Sequence, residues 1–85
     1  SDAFRTYPNP ARRGATIHLD VPETGAYQVR LVSLQGRIVG VANLENTHGG
    51  GLSLVVPQGL TMGVYMVEAQ SRDNNQHFRQ KIMIQ

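Results

Sequence analysis

The 85-residue chain has seven Arg and one Lys against six carboxylates, a net charge of +2, with 40% apolar and 16% charged residues and no cysteine. That length holds one hydrophobic core and therefore one domain, residues 1–85, and the composition is that of a folded chain rather than a disordered one. The missing cysteines exclude a disulfide framework and thiolate metal sites, no apolar run nears the roughly 18 residues that cross a bilayer, and the scattered charges argue against nucleic acid and direct membrane insertion.

Residues 1–6 read as a lead-in from a linker, with a short strand possible over residues 4–7. A chain that starts at Ser1 reads as a mature or excised piece whose export signal would lie elsewhere. Pro8, Asn9 and Pro10 then force a turn, because each proline fixes its own φ and pushes the preceding residue out of the helical region. Over residues 15–21, Ile17, Leu19 and Val21 alternate with Thr16, His18 and Asp20, the period of a half-buried strand. Residues 22–25 close it. Tyr27, Val29 and Leu31 repeat the alternation, Gln35-Gly36 supplies a hairpin turn in which glycine accepts positive φ, and residues 37–44 return as the partner strand.

Residues 45–51, ENTHGGG, read as a flexible polar loop at a tip. Leu52, Leu54 and Val56 alternate with Ser53 and Val55 until Pro57 stops the ladder. After a turn at Thr61, Met62 and Gly63, Tyr65, Val67 and Ala69 form the next inward row. In the final strand Phe78, Ile82 and Ile84 oppose Arg79, Lys81 and Met83. No window carries a helical period, so the expected class is all-β: an immunoglobulin-like antiparallel β-sandwich of about seven strands, with a closed barrel of five or six strands as the alternative.

Catalytic chemistry is hard to find. His18, His48 and His77 are spread over a strand, a loop and a strand start without metal-ligand spacing. Asp20 and Glu23 flank a proline turn, Ser33 and Ser53 lie in strands without a glycine elbow, and the glycine runs do not open a helix that could hold phosphate. The residues indicate no enzyme, no metal and no cofactor. A fibronectin-like or carbohydrate-binding surface module, or a structural spacer, remains an alternative, although the chain has no Trp to stack on a sugar.

In chain order, YPNPA, YQVRLVSLQGRIV, LSLVVPQGLTMGVYMVEAQ and the ending HFRQKIMIQ resemble the C-terminal sorting domain of type IX secretion cargo, from about Tyr7 to Gln85. Pro8, Asn9 and Pro10 match that family's opening turn; Val29, Leu31, Gly36, Arg37 and Val39 match its hairpin; Leu60, Gly63, Tyr65 and Val67 match its penultimate strand. The ending carries one Lys where family members commonly have several.

The resemblance implies a folded address label attached behind an N-terminal cargo, passing through the periplasm and the outer-membrane type IX translocon. A sortase-like surface complex would then remove the label or leave it in place, with the cargo anchored at the cell surface or secreted. On this reading Arg79, Lys81, Ile82, Met83, Ile84 and Gln85 form the strand that the translocon recognises, with Ile82 and Ile84 holding it and Arg79, Lys81 and Met83 facing the receptor. The same pattern fits a core strand whose outward basic residues keep the edge from aggregating. Free sheet edges would accept a partner strand or form a weak homodimer. Arg30 and Arg37, beside the Gln35-Gly36 turn, are expected to keep the hairpin tip soluble, with docking as the alternative.

Overall fold

The computed structural model describes residues 4–85, and residues 1–3 of the lead-in lie outside the described residues. Period-two alternation becomes seven strands: β1 (Arg5–Tyr7), β2 (Thr16–Asp20), β3 (Gly25–Ser33), β4 (Ile38–Asn46), β5 (Leu52–Val55), β6 (Gly63–Ser71) and β7 (His77–Ile84). They form two antiparallel sheets, one ordered β1-β2-β5 and the other β4-β3-β6-β7, stacked as a sandwich. No described residue is helical. Because the strands divide between two open sheets, the closed-barrel alternative is set aside.

The core lies between the layers. Ile17, Leu19 and Leu52 from the smaller sheet meet Tyr27, Val29, Leu31, Val67, Ala69, Ile82 and Ile84 from the larger one, all buried. Each such aliphatic side chain contributes about 1.5–3 kcal/mol relative to leaving it in water. Phe4 and Phe78 stack with ring centroids 5.5 Å apart at one side of the core. The layers are also stitched by polar contacts, since the buried Thr6 of β1 donates its backbone N–H to Gln80 Oε1 of β7 at 2.7 Å.

Several local expectations are corrected. The loop expected at residues 45–51 is shorter, because β4 continues to Asn46. Asn46 is 1% exposed, donates Nδ2 to Glu23 O at 2.9 Å and accepts the Gly51 N–H at 3.1 Å, so its buried amide is satisfied on both sides. Gly51 is needed there: φ is +86°, and a Cβ would come 2.6 Å from Leu19 O.

The hairpin turn also differs, with a loop spanning Leu34, Gln35 and Gly36. Gly36 N–H donates to Ser33 O, Ser33 N–H donates to Arg37 O, and Gly36 sits at φ +87°. That is a three-residue loop ending in a left-handed glycine. Its twist is accommodated by a bulge where β3 slips register against β4 between Leu31 and Val32. Finally, the strand expected to include Val56 ends at Val55, while Val56 stays fully buried and bonds through its backbone to Gly14 and Ala15.

Candidate recognition surface

Alternation along β7 places Ile82 and Ile84 at 0% exposure, while Arg79, Lys81, Met83 and Gln85 are exposed. One side of the strand pairs with β6, Tyr65 opposite Ile82 and Gly63 opposite Ile84. The other side faces the edge, and it is not free at its C-terminal half. Asn9 donates Nδ2 to Lys81 O at 3.1 Å and accepts the Met83 N–H on Oδ1 at 3.0 Å. Ala11 N–H then donates to Met83 O, Gln85 N–H to Ala11 O and Arg13 N–H to Gln85 O. The expectation of an open edge here is corrected.

The Pro8-Asn9-Pro10 triplet explains how this happens. Pro8 and Pro10 have no N–H to offer the edge, and they flank one residue, Asn9, whose side-chain amide supplies both a donor and an acceptor; the peptide bonds preceding both prolines are cis. Ala11, 1% exposed, is small enough for its backbone to lie beside Ile84 in a parallel bridge. An exposed three-residue turn thereby fastens the chain's last strand.

The outward side chains meet a charge row. Glu68 of β6 lies between Arg30 and Arg79, accepting from Arg30 at 2.8 Å and from Arg79 at 3.3 Å, with its own side chain 14% exposed. Arg30 therefore is not a tip residue. It sits mid-strand, opposite Val41 and Glu68, and the expectation that it solubilises the turn is corrected. Arg37 does lie at the tip, exposed, its N–H donating to Ser33 Oγ at 3.1 Å. Lys81 is opposite Met66, and Met83 is opposite Val64.

The remaining motif positions divide into core and turn. Val29, Leu31 and Val67 are 0% exposed and Tyr65 is buried, whereas Pro8, Asn9 and Pro10 are exposed. Arg37, Val39, Leu60, Gly63 and Tyr65 line a groove of about 320 Å³ at the hairpin end. Tyr65 donates its hydroxyl to Thr61 O at 2.7 Å, and Tyr27 donates to Glu23 O at 2.9 Å. Both bonds run four residues back and stand at the head of a Gly-x-Tyr-x-Val run, Gly25 to Val29 and Gly63 to Val67. Sequence reasoning missed this echo, which was visible as the repeated spacing of those residues. Each tyrosine pins the corner where the chain enters a central strand. Burial raises the Tyr27 phenol above its usual pKa, with Glu23 and Asp73 adding to the effect and the bond to Glu23 O opposing it.

The titratable residues are dispersed. His18 shares a hydrogen bond with Ser53 Oγ at 3.2 Å, His48 with Thr47 Oγ1 at 3.0 Å, and Asp20 pairs with Arg5 at 2.9 Å. Among the described residues no three His, Cys, Asp or Glu side chains gather where a metal ion could be held.

No curated protein matches the chain. Over residues 5–85 it matches the family described as the secretion system C-terminal sorting domain, which is not an enzyme family. The motif residues that fasten β7, turn the hairpin and fill the core all fall within that match, and the chain belongs to the C-terminal sorting domains of type IX secretion, the signals that carry an attached cargo to the outer membrane, the cell surface or the exterior.

Proposed function

We propose that this domain is read by the type IX translocon through the outward side chains Arg79, Lys81 and Met83, with Gln85 at the end of the strand and Ile82 and Ile84 anchoring it from within. The observation that carries this reading is the Asn9 clamp. It occupies the edge of β7 from Lys81 to Gln85, so strand addition there would first have to displace Asn9, Ala11 and Arg13. A receptor that leaves the fold intact meets side chains instead. The cargo precedes the domain, crosses the periplasm with it, and is released or anchored by a sortase-like surface complex acting upstream of the sandwich.

The test is a reporter carrying an export signal and this domain, expressed in cells with and without the translocon. Surface delivery that requires the translocon is expected, and Lys81→Glu combined with Met83→Ser should lower it about tenfold or more, the effect of losing roughly 1.4 kcal/mol of binding. Both residues are exposed, so the melting temperature should change little. Full delivery by this variant would refute the assignment of the surface, and delivery independent of the translocon would refute the function.

A further inference from the structure

In a sandwich the outer face of a sheet meets water and should be polar along its length. In the four-stranded sheet only half of it is. Strand register sets the outward residues side by side: Gln28 lies next to Asn43 and Gln70, and Gln70 next to His77, a wholly polar row. The next row toward the hairpin holds Val41, Arg30, Glu68 and Arg79. Beyond it, Val32 stands between Ile38 and Met66, Lys81 ends that row beside Met66, and Val64 stands beside Met83. Ile38, Val41 and Met83 are 49%, 54% and 41% exposed, and Val32, Val64 and Met66 are half-buried by their neighbours.

A preference of strands for β-branched residues does not explain this. The same four strands, on the same face, carry a wholly polar row at Asn43, Gln28, Gln70 and His77, so the apolar character is confined to a contiguous area. Single exposed apolar residues need no explanation, but a contiguous patch marks an interaction site. Two of its members are methionines, whose unbranched side chains adapt to a partner's surface.

We propose that Val32, Ile38, Val41, Val64, Met66 and Met83 form a docking surface for a partner-protein segment whose apolar side chains are flanked by carboxylates. The charge around the patch selects that occupant. Arg30 and Arg79 share the single carboxylate of Glu68, and Lys81, beside Met66, has no side-chain ion partner among the described residues, so the border is net positive. A second copy docking face to face would set these cations against their equivalents. An anionic membrane is a poorer match, since lipid recognition uses clusters of about 4–8 basic residues, and Glu68 lies within this one. The inference rests on the sorting reading for the assembly to which the partner belongs, while the surface itself stands on register and charge.

The experiment selects displayed random peptides on the immobilised chain, with Val41→Ser/Met66→Ser as the counter-target. Peptides that combine apolar residues with Asp or Glu are expected, their affinity falling at least about tenfold on the double variant, as at an interface centre. Lys81→Glu provides an independent arm: it should weaken the same peptides without changing the melt, and does so even if the double variant proves unstable. Enrichment of no peptide, of basic peptides, or of peptides insensitive to these changes would overturn the proposal. So would retention of the chain by phosphatidylglycerol vesicles through this face without competition from acidic peptides, or a dimer in sedimentation that the double variant abolishes. The reporter assay separates the two readings. If the wild-type domain delivers the reporter and a folded double variant delivers it equally, docking is overturned and sorting stands. If the wild-type domain delivers nothing, sorting fails, and the peptide selection still decides the surface.

Discussion

Replacing Asn9 by Ala tests whether the opening turn holds the end of the chain. The substitution deletes two hydrogen bonds, to Lys81 O and from the Met83 N–H. Each is worth about 0.5–1.5 kcal/mol net, and because both backbone groups lie at an exposed edge, water can replace the lost partner without a burial penalty. The expected destabilisation is about 2 kcal/mol, or about 10 °C in melting temperature for a domain of this size. Amide hydrogen exchange locates the effect. Alternation directs the Met83 amide to Asn9 and those of Ile82 and Ile84 toward β6, so Met83 should lose more protection than the general loss of stability accounts for. Asn9→Asp keeps the acceptor for Met83 but replaces the donor to Lys81 O, and should fall between wild type and Asn9→Ala. An unchanged melt, or a Met83 amide that loses protection only in step with Ile82, would refute the clamp.

Glu68→Gln leaves Arg30 and Arg79 facing each other without the carboxylate between them, and should cost about 1–2 kcal/mol, a loss that shrinks at high salt as the two guanidiniums are screened; melts at two salt concentrations check it. Tyr27 carries a raised phenol pKa, so the stability linked to its neutral form is complete below the unfolded value of 10.0 and is lost as pH rises through the higher folded value. Tyr27→Phe should flatten the alkaline part of the stability curve while lowering neutral stability by about 1 kcal/mol through loss of the bond to Glu23 O. Deleting residues 81–85 removes two fully buried isoleucines and the residues that Asn9 and Ala11 hold, and should unfold the domain by circular dichroism. Point changes at Lys81 and Met83 are therefore the informative test of recognition.

Much of this structure was legible in the sequence because the decisive signal is local. Alternation at Ile17 and Leu19, at Tyr27, Val29 and Leu31, and at Ile82 and Ile84 states which face of each strand leaves water, and two inward faces then require two layers. Gly36 announced the reversal. The surface is another matter, because pairing between distant strands decides it. Period two shows that Arg30 and Arg79 point outward, whereas Val41 points outward only because β4 carries an extra residue at the register slip, and only the order β4-β3-β6-β7 sets Arg30 and Arg79 on either side of Glu68 and gathers Val32, Val41, Val64 and Met66 into one patch. Likewise the open edge expected at β7 is closed by Asn9, whose contacts with Lys81 and Met83 span 72 and 74 residues. An amide side chain at an exposed turn has many possible partners, and tertiary packing brings these two within reach. Which residues face the core follows from each strand's own repeat, whereas which edges are occupied and which charges meet depends on segments that become neighbours only when the sheets assemble.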